Sequence, residues 1–153
     1  MHNNIFQLSV SPINADDFIA ESSFDPSEID DFADYVSEYE GDLSEVYDKF
    51  PFLGTMFTRD GDKLICKGCD DVFRTWHKAV CQEVGKLLSE GGLKNGMNTW
   101  RVKQLLTVPF TRARFYLEEQ GYPMDSSEFL QYCAKNLKEG DVLYLGGVLD
   151  FHL

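Results

Sequence analysis

Residues 54–92 read "GTMFTRDGDKLICKGCDDVFRTWHKAVCQEVGKLLSEGG", and no other stretch limits the fold as much. Asp60-Gly61 is a short-range hairpin signal, because a type I′ turn needs positive φ at both central residues. The arms would be Met56–Thr58 and Lys63–Ile65. A few residues later Val72, Phe73, Trp76, Val80, Val84 and Leu87 recur at helical spacing. This predicts a helix over 71–90, stopped by Gly91-Gly92. A hairpin that feeds directly into an amphipathic helix fits neither an all-helical bundle nor regular βα alternation. The expected class is α+β: a single compact domain over 1–153, with a small, mainly antiparallel sheet and about four helices packed on it.

The remaining segments fit that class. "NIFQLSVSP" places Phe6, Leu8 and Val10 at period two and reads as a strand ended by Pro12. "NADDFIAESSF" suggests a short helical turn capped by Asn14. "DPSEIDDFADYVSEYEG" has Asp25 as N-cap, Pro26 at the first helical position and Glu28 to complete a capping box. It predicts a helix over 26–40 with Ile29, Phe32, Val36 and Tyr39 inward and Asp30, Asp31, Asp34 and Glu38 outward. Residues 99–121 read as two helical pieces interrupted at Pro109, although 99–108 could equally be a strand. "DSSEFLQYCAKNLKEG" predicts a helix with Phe129, Leu130, Cys133 and Leu137 inward. "DVLYLGGVLDFHL" is an extended segment that bends or bulges at Gly146-Gly147.

The charge is unevenly spread. The formal net charge is −12. Residues 1–50 hold 13 Asp/Glu and one base, Lys49, whereas residues 51–153 hold 13 of each sign. That third also carries Phe18, Phe24, Tyr47 and Phe50, too much aromatic mass for a disordered tail. If residues 26–45 ran as one helix, about eight carboxylates would lie along about 26 Å, one per roughly 3 Å, a density close to that of one DNA strand. Such a surface repels phosphate and suits a basic partner, in the manner of a DNA mimic. A second, basic surface interleaves Arg101, Lys103, Arg112 and Arg114 with Trp100, Phe110, Phe115 and Tyr116. Aromatics and arginine can stack on bases. The overall charge nevertheless argues against direct nucleic-acid binding, and these arginines could pair with the acidic third within the chain or across a homo-oligomer. No apolar run approaches the roughly 18 residues of a membrane span. The first residues lack a secretory signal pattern, and four cysteines without one point to free thiols in the cytoplasm.

Three cysteines and a histidine fall within 66–81. Cys66, Cys69, His77 and Cys81 are the right residue types for zinc. A helix starting near Asp70 would set His77 roughly 12 Å and Cys81 roughly 18 Å along the axis from Cys69, too far for one ion. A redox dithiol is the other chemical reading. "LICKGC" before a helix resembles the placement of the CxxC in thioredoxin-like proteins, which implies a thiolate favoured by the helix N-terminus. Here the preceding strand belongs to a local hairpin, and Asp70 and Asp71 oppose the thiolate. The plain alternative makes Cys66, Cys69, Cys81 and Cys133 ordinary buried thiols. No catalytic signature is present, and "LGGV" and "SEGGLKNG" match no phosphate loop. The expectation is a non-enzymatic binding protein without cofactor or metal. It presents Asp30, Asp31, Asp34 and Glu38 to a basic protein partner, with a metal- or thiol-dependent protein centred on Cys66 and Cys69 as the alternative.

Overall fold

A computed structural model describes residues 1–153. Seven strands join one mixed sheet: β1 His2–Ser9, β2 Tyr35–Glu38, β3 Phe57–Asp60, β4 Lys63–Cys66, β5 Arg114–Leu117, β6 Pro123–Met124 and β7 Val142–His152. Their order is β3-β4-β7-β1-β5-β6, with β2 on β7 alongside β4. Only β1 and β5 run parallel. The five helices are α1 Pro26–Asp30, α2 Leu43–Tyr47, α3 Asp70–Leu88, α4 Gly96–Thr107 and α5 Ser126–Asn136. The class is α+β, with a larger sheet and one more helix than the sequence suggested.

The hairpin forms one residue later than the Asp-Gly signal implies. Asp60 pairs with Lys63, so Gly61 and Asp62 are the loop. Gly61 takes φ +61° and Asp62 has no positive φ. Positive φ at the first central residue alone is the primed turn with glycine leading, which needs no strained aspartate.

The long strand β7 organises both faces. Phe6 pairs with Val148 and Leu8 with Leu145, so Gln7 faces two residues, Gly146 and Gly147, across a bulge. An extra residue inverts the inside–outside parity of everything after it. Before the bulge Leu143 and Leu145 enter a 22-residue core with Phe6, Leu8, Phe115 and Phe129. Beyond it Leu149 and Phe151 enter a separate 7-residue core with Ile5, Ile19, Phe24, Ala33 and Val36. α3, α5 and the segment 46–57 cover the first face, and residues 19–36 cover the second.

Gln7 is the pin through the bulge. Its Oε1 accepts from Ile19 N (2.9 Å) and Gly147 N (2.7 Å), and its Nε2 donates to Asp17 O (2.9 Å) and Glu118 Oε1 (2.8 Å). A Cβ on Gly146 would lie 2.6 Å from Gln7 Oε1. Glycine is therefore required there for close approach.

Two helical expectations are corrected. The helix over 26–40 stops after α1, although its cap is as expected: Asp25 accepts from Ser27 N within a capping box completed by Glu28. Residues 35–38 instead form β2, paired with 149–152. Asp30, Asp34 and Glu38 would be an i,i+4 ladder of like charge, each step costing a few tenths of a kcal/mol in a helix. A helix of this length is marginal without packing. The open half of β7 offers a complete set of backbone partners instead. Likewise 99–107 is helical, within α4, but the piece after Pro109 is the strand β5, because β1 needs a partner on its second edge.

Candidate functional site

Two places bring chemically active side chains together. The first lies along β2. Asp30, Asp31, Asp34 and Glu38 are all exposed, as expected, but they do not form a line along a helix. The break at residue 31 and the turn into β2 remove the regular charge spacing on which likeness to a DNA strand depended. In its place the fold builds a groove of about 670 Å³ between the β2 edge and residues 21–30. Glu21, Asp30, Asp34 and Glu38 line it with Phe24, Ile29 and Tyr35, and no lysine or arginine does. Asp31 lies outside. Glu38 Oε1 accepts from Glu21 N (3.1 Å), which ties the two walls together.

Tyr35, 49% exposed, stacks on His152 with ring centroids 5.4 Å apart. His152 Nδ1 is 3.5 Å from Asp34 Oδ2, an ion pair only when the imidazole is protonated. The carboxylates of residues 1–50 are otherwise left without cationic partners within 4 Å, apart from Asp48, whose Oδ1 is 2.6 Å from Arg59 Nη2.

The basic surface does not hold together. Trp100, Arg101 and Lys103 are exposed on α4. Phe115 is fully buried, and Arg114, itself partly buried, lies over the Phe32 ring at 4.7 Å. Burial pulls the Arg114 pKa below its usual value, while Asp125 and Glu128 oppose that shift. None of the four cations pairs with the acidic third within the chain.

The second place is the start of α3, where Cys69 is the N-cap and Cys66 ends β4. Their Sγ atoms are 3.9 Å apart and both side chains are buried. Cys133, on α5, is buried in the same core cluster. The neighbouring Cys133 and Cys66 thiols bring the Cys69 thiol down to about 7 against the opposing effects of burial and Asp70. Burial pushes Cys66 up and Cys133 well up. His77 and Cys81 are exposed on α3 and do not join the pair, so the four-ligand zinc set is not assembled. Cys81 was also expected to be buried. It faces solvent because α3 buries only Trp76 fully, and its stripe is half-covered by α4.

A groove of about 1140 Å³ opens at this end, lined by Cys69 with Lys67, Asp70, Arg74, Phe110 and Lys138 among others. The juxtaposition of Cys133 with the CxxC could not be read from the chain, because it depends on how α5 docks across the sheet.

Searches against protein-family models, curated proteins and solved structures find no match to this chain. No helix is long and apolar enough to cross a membrane.

Proposed function

We propose that the protein is a non-enzymatic binding protein of the cytoplasm whose groove along β2 receives cationic side chains of a basic protein partner. The observation that carries this is the lining: Glu21, Asp30, Asp34 and Glu38 converge on one groove that contains no lysine or arginine. Concave walls of one sign focus the field and favour a ligand of the opposite sign. Phe24, Ile29 and Tyr35 supply apolar surface for the stem of a lysine or the plane of an arginine. β2 pairs on one side only, so an extended basic segment can also add to its free edge. The cations come from a basic protein or, in a homo-oligomer, from Arg101 and Lys103 of a second copy.

The test is binding of a short lysine- and arginine-rich peptide to the wild type and to the Asp34→Asn/Glu38→Gln variant, at low and moderate salt. Wild-type binding should weaken steeply with salt, because exposed charges are screened over about 10 Å at 0.1 M. The variant should bind more weakly at low salt. Equal binding by both proteins, or binding indifferent to salt, would refute the reading.

A further inference from the structure

Buried cysteines are ordinarily inert because they sit singly among apolar groups. The three near α3 differ in sharing one core cluster, with Cys66 and Cys69 in contact, and in having one member on the wall of an open groove. The backbone fixes Cys66 firmly: its N–H donates to Asp141 O and its carbonyl accepts from Gly140 N, both at 2.8 Å. Cys69 O accepts the first α3 hydrogen bond, from Phe73 N (2.9 Å). Between them Gly68 takes φ +115°, a conformation other residues rarely adopt, and its N–H donates to Cys66 Sγ at 3.4 Å. The turn therefore holds the sulfurs 3.9 Å apart, and a disulfide at about 2.05 Å requires them to close the remaining gap.

From this geometry we infer that Cys66 and Cys69 form a dithiol–disulfide couple that exchanges with a small disulfide entering the α3 groove. Cys69 is assigned as the attacking residue, since it borders the groove, 4% exposed, and Cys66 does not. It is also the thiol that ionises most readily of the three. The groove carries Lys67, Arg74 and Lys138 beside Asp70, Asp71 and Glu139, a lining of both signs suited to a zwitterionic peptide disulfide such as oxidised glutathione.

In the first step the Cys69 thiolate attacks one sulfur of R–S–S–R. A mixed disulfide forms on Cys69, and the released thiolate takes up a proton. In the second step Cys66 loses its proton and attacks Cys69 Sγ, expelling the second thiolate, which is protonated in turn. The protein loses two electrons and two thiol protons, and the small disulfide becomes two thiols. Cys133, fully buried in the same core cluster, remains reduced.

The test uses the full chain carrying Cys81→Ser, which removes the exposed thiol. The folded protein is incubated with oxidised glutathione near neutral pH, quenched in acid and mapped by mass spectrometry, with circular dichroism confirming the fold. The expected product is lighter by two hydrogens and linked between Cys66 and Cys69. Adding Cys66→Ser should arrest the reaction at a mixed disulfide on Cys69, and adding Cys69→Ser should slow oxidation by about tenfold or more. The inference is overturned if all three thiols stay reduced over a period in which denatured protein oxidises. It is equally overturned if the first mixed disulfide maps to Cys66 or Cys133. Mapping the Cys81→Ser protein alone decides the matter should the other variants unfold.

Discussion

On the face of the sheet under α3 and α5, 22 buried side chains form one core, and six phenylalanines contact one another within it. Phe115 and Phe129 stack at 4.2 Å, with Phe50 set edge-on to both. On the opposite face seven buried side chains suffice. Their cover is the acidic segment, which holds on through polar ties: Gln7 to Asp17 and Ile19, Glu38 to Glu21, and Arg114 over Phe32. The first face is secured by buried apolar area and dispersion. The second is secured by a few hydrogen bonds that each matter. A thin polar-tied layer opens more readily than a thick core, and the proposed binding groove lies on that layer.

The contrast can be broken at several points. Phe129→Ala should be the most costly change, destabilising by about 3–5 kcal/mol in urea denaturation. Ile19→Ala in the thin core should cost about 2 kcal/mol, and equal costs would dissolve the distinction. Gln7→Leu strands two buried donors, Ile19 N and Gly147 N, and should cost about 2–4 kcal/mol. Hydrogen exchange should then show lost protection at residues 17–19 while α5 stays protected.

The thiols separate the interior of the first face from its surface. Cys133→Ser should cost about 1–3 kcal/mol by burying a hydroxyl without an assured partner, whereas Cys81→Ser should stay within about 0.5 kcal/mol. In native buffer a thiol reagent should label Cys81 quickly and Cys133 only on unfolding.

Tyr47 offers a pH test within the thick core. Its hydroxyl donates to Gly146 O, and burial pushes its pKa up to about 12, with Asp62 adding to the shift and Arg59 opposing it. The folded protein therefore keeps the phenolic proton to higher pH than the unfolded chain. Its stabilising effect is full below pH about 10 and is lost as pH rises towards about 12. Tyr47→Phe should cost about 1–2 kcal/mol at neutral pH. It should also flatten the pH dependence in that window, which stability curves of the two proteins would show.

The smallest effect belongs to Asp34→Asn/Glu38→Gln, within about 0.5 kcal/mol. In a strand these residues stand about 13 Å apart along the chain, so the repulsion they would feel in a helix is largely absent.

Local signals in the chain were enough for much of this architecture. The stripe from Val72 to Leu87 marks α3, Asp25-Pro26 with Glu28 marks the start of α1, and Phe129, Leu130 and Cys133 at helical spacing mark α5. Gly146-Gly147 marks the bulge, and the Asp-Gly hairpin errs by one residue. Each of these depends on neighbours within a turn or two, where periodicity and capping chemistry operate.

Tertiary structure decided the rest. Residues 35–38 became a strand because the far half of β7, more than a hundred residues away, had an open edge. Residues 114–117 became a strand because β1 did. The acidic groove exists because β2 lies beside residues 21–30. The thiol cluster exists because α5 carries Cys133 to the start of α3. Backbone pairing and burial are settled between distant segments, and there a long-range partner outweighs the few tenths of a kcal/mol per residue that local preference supplies.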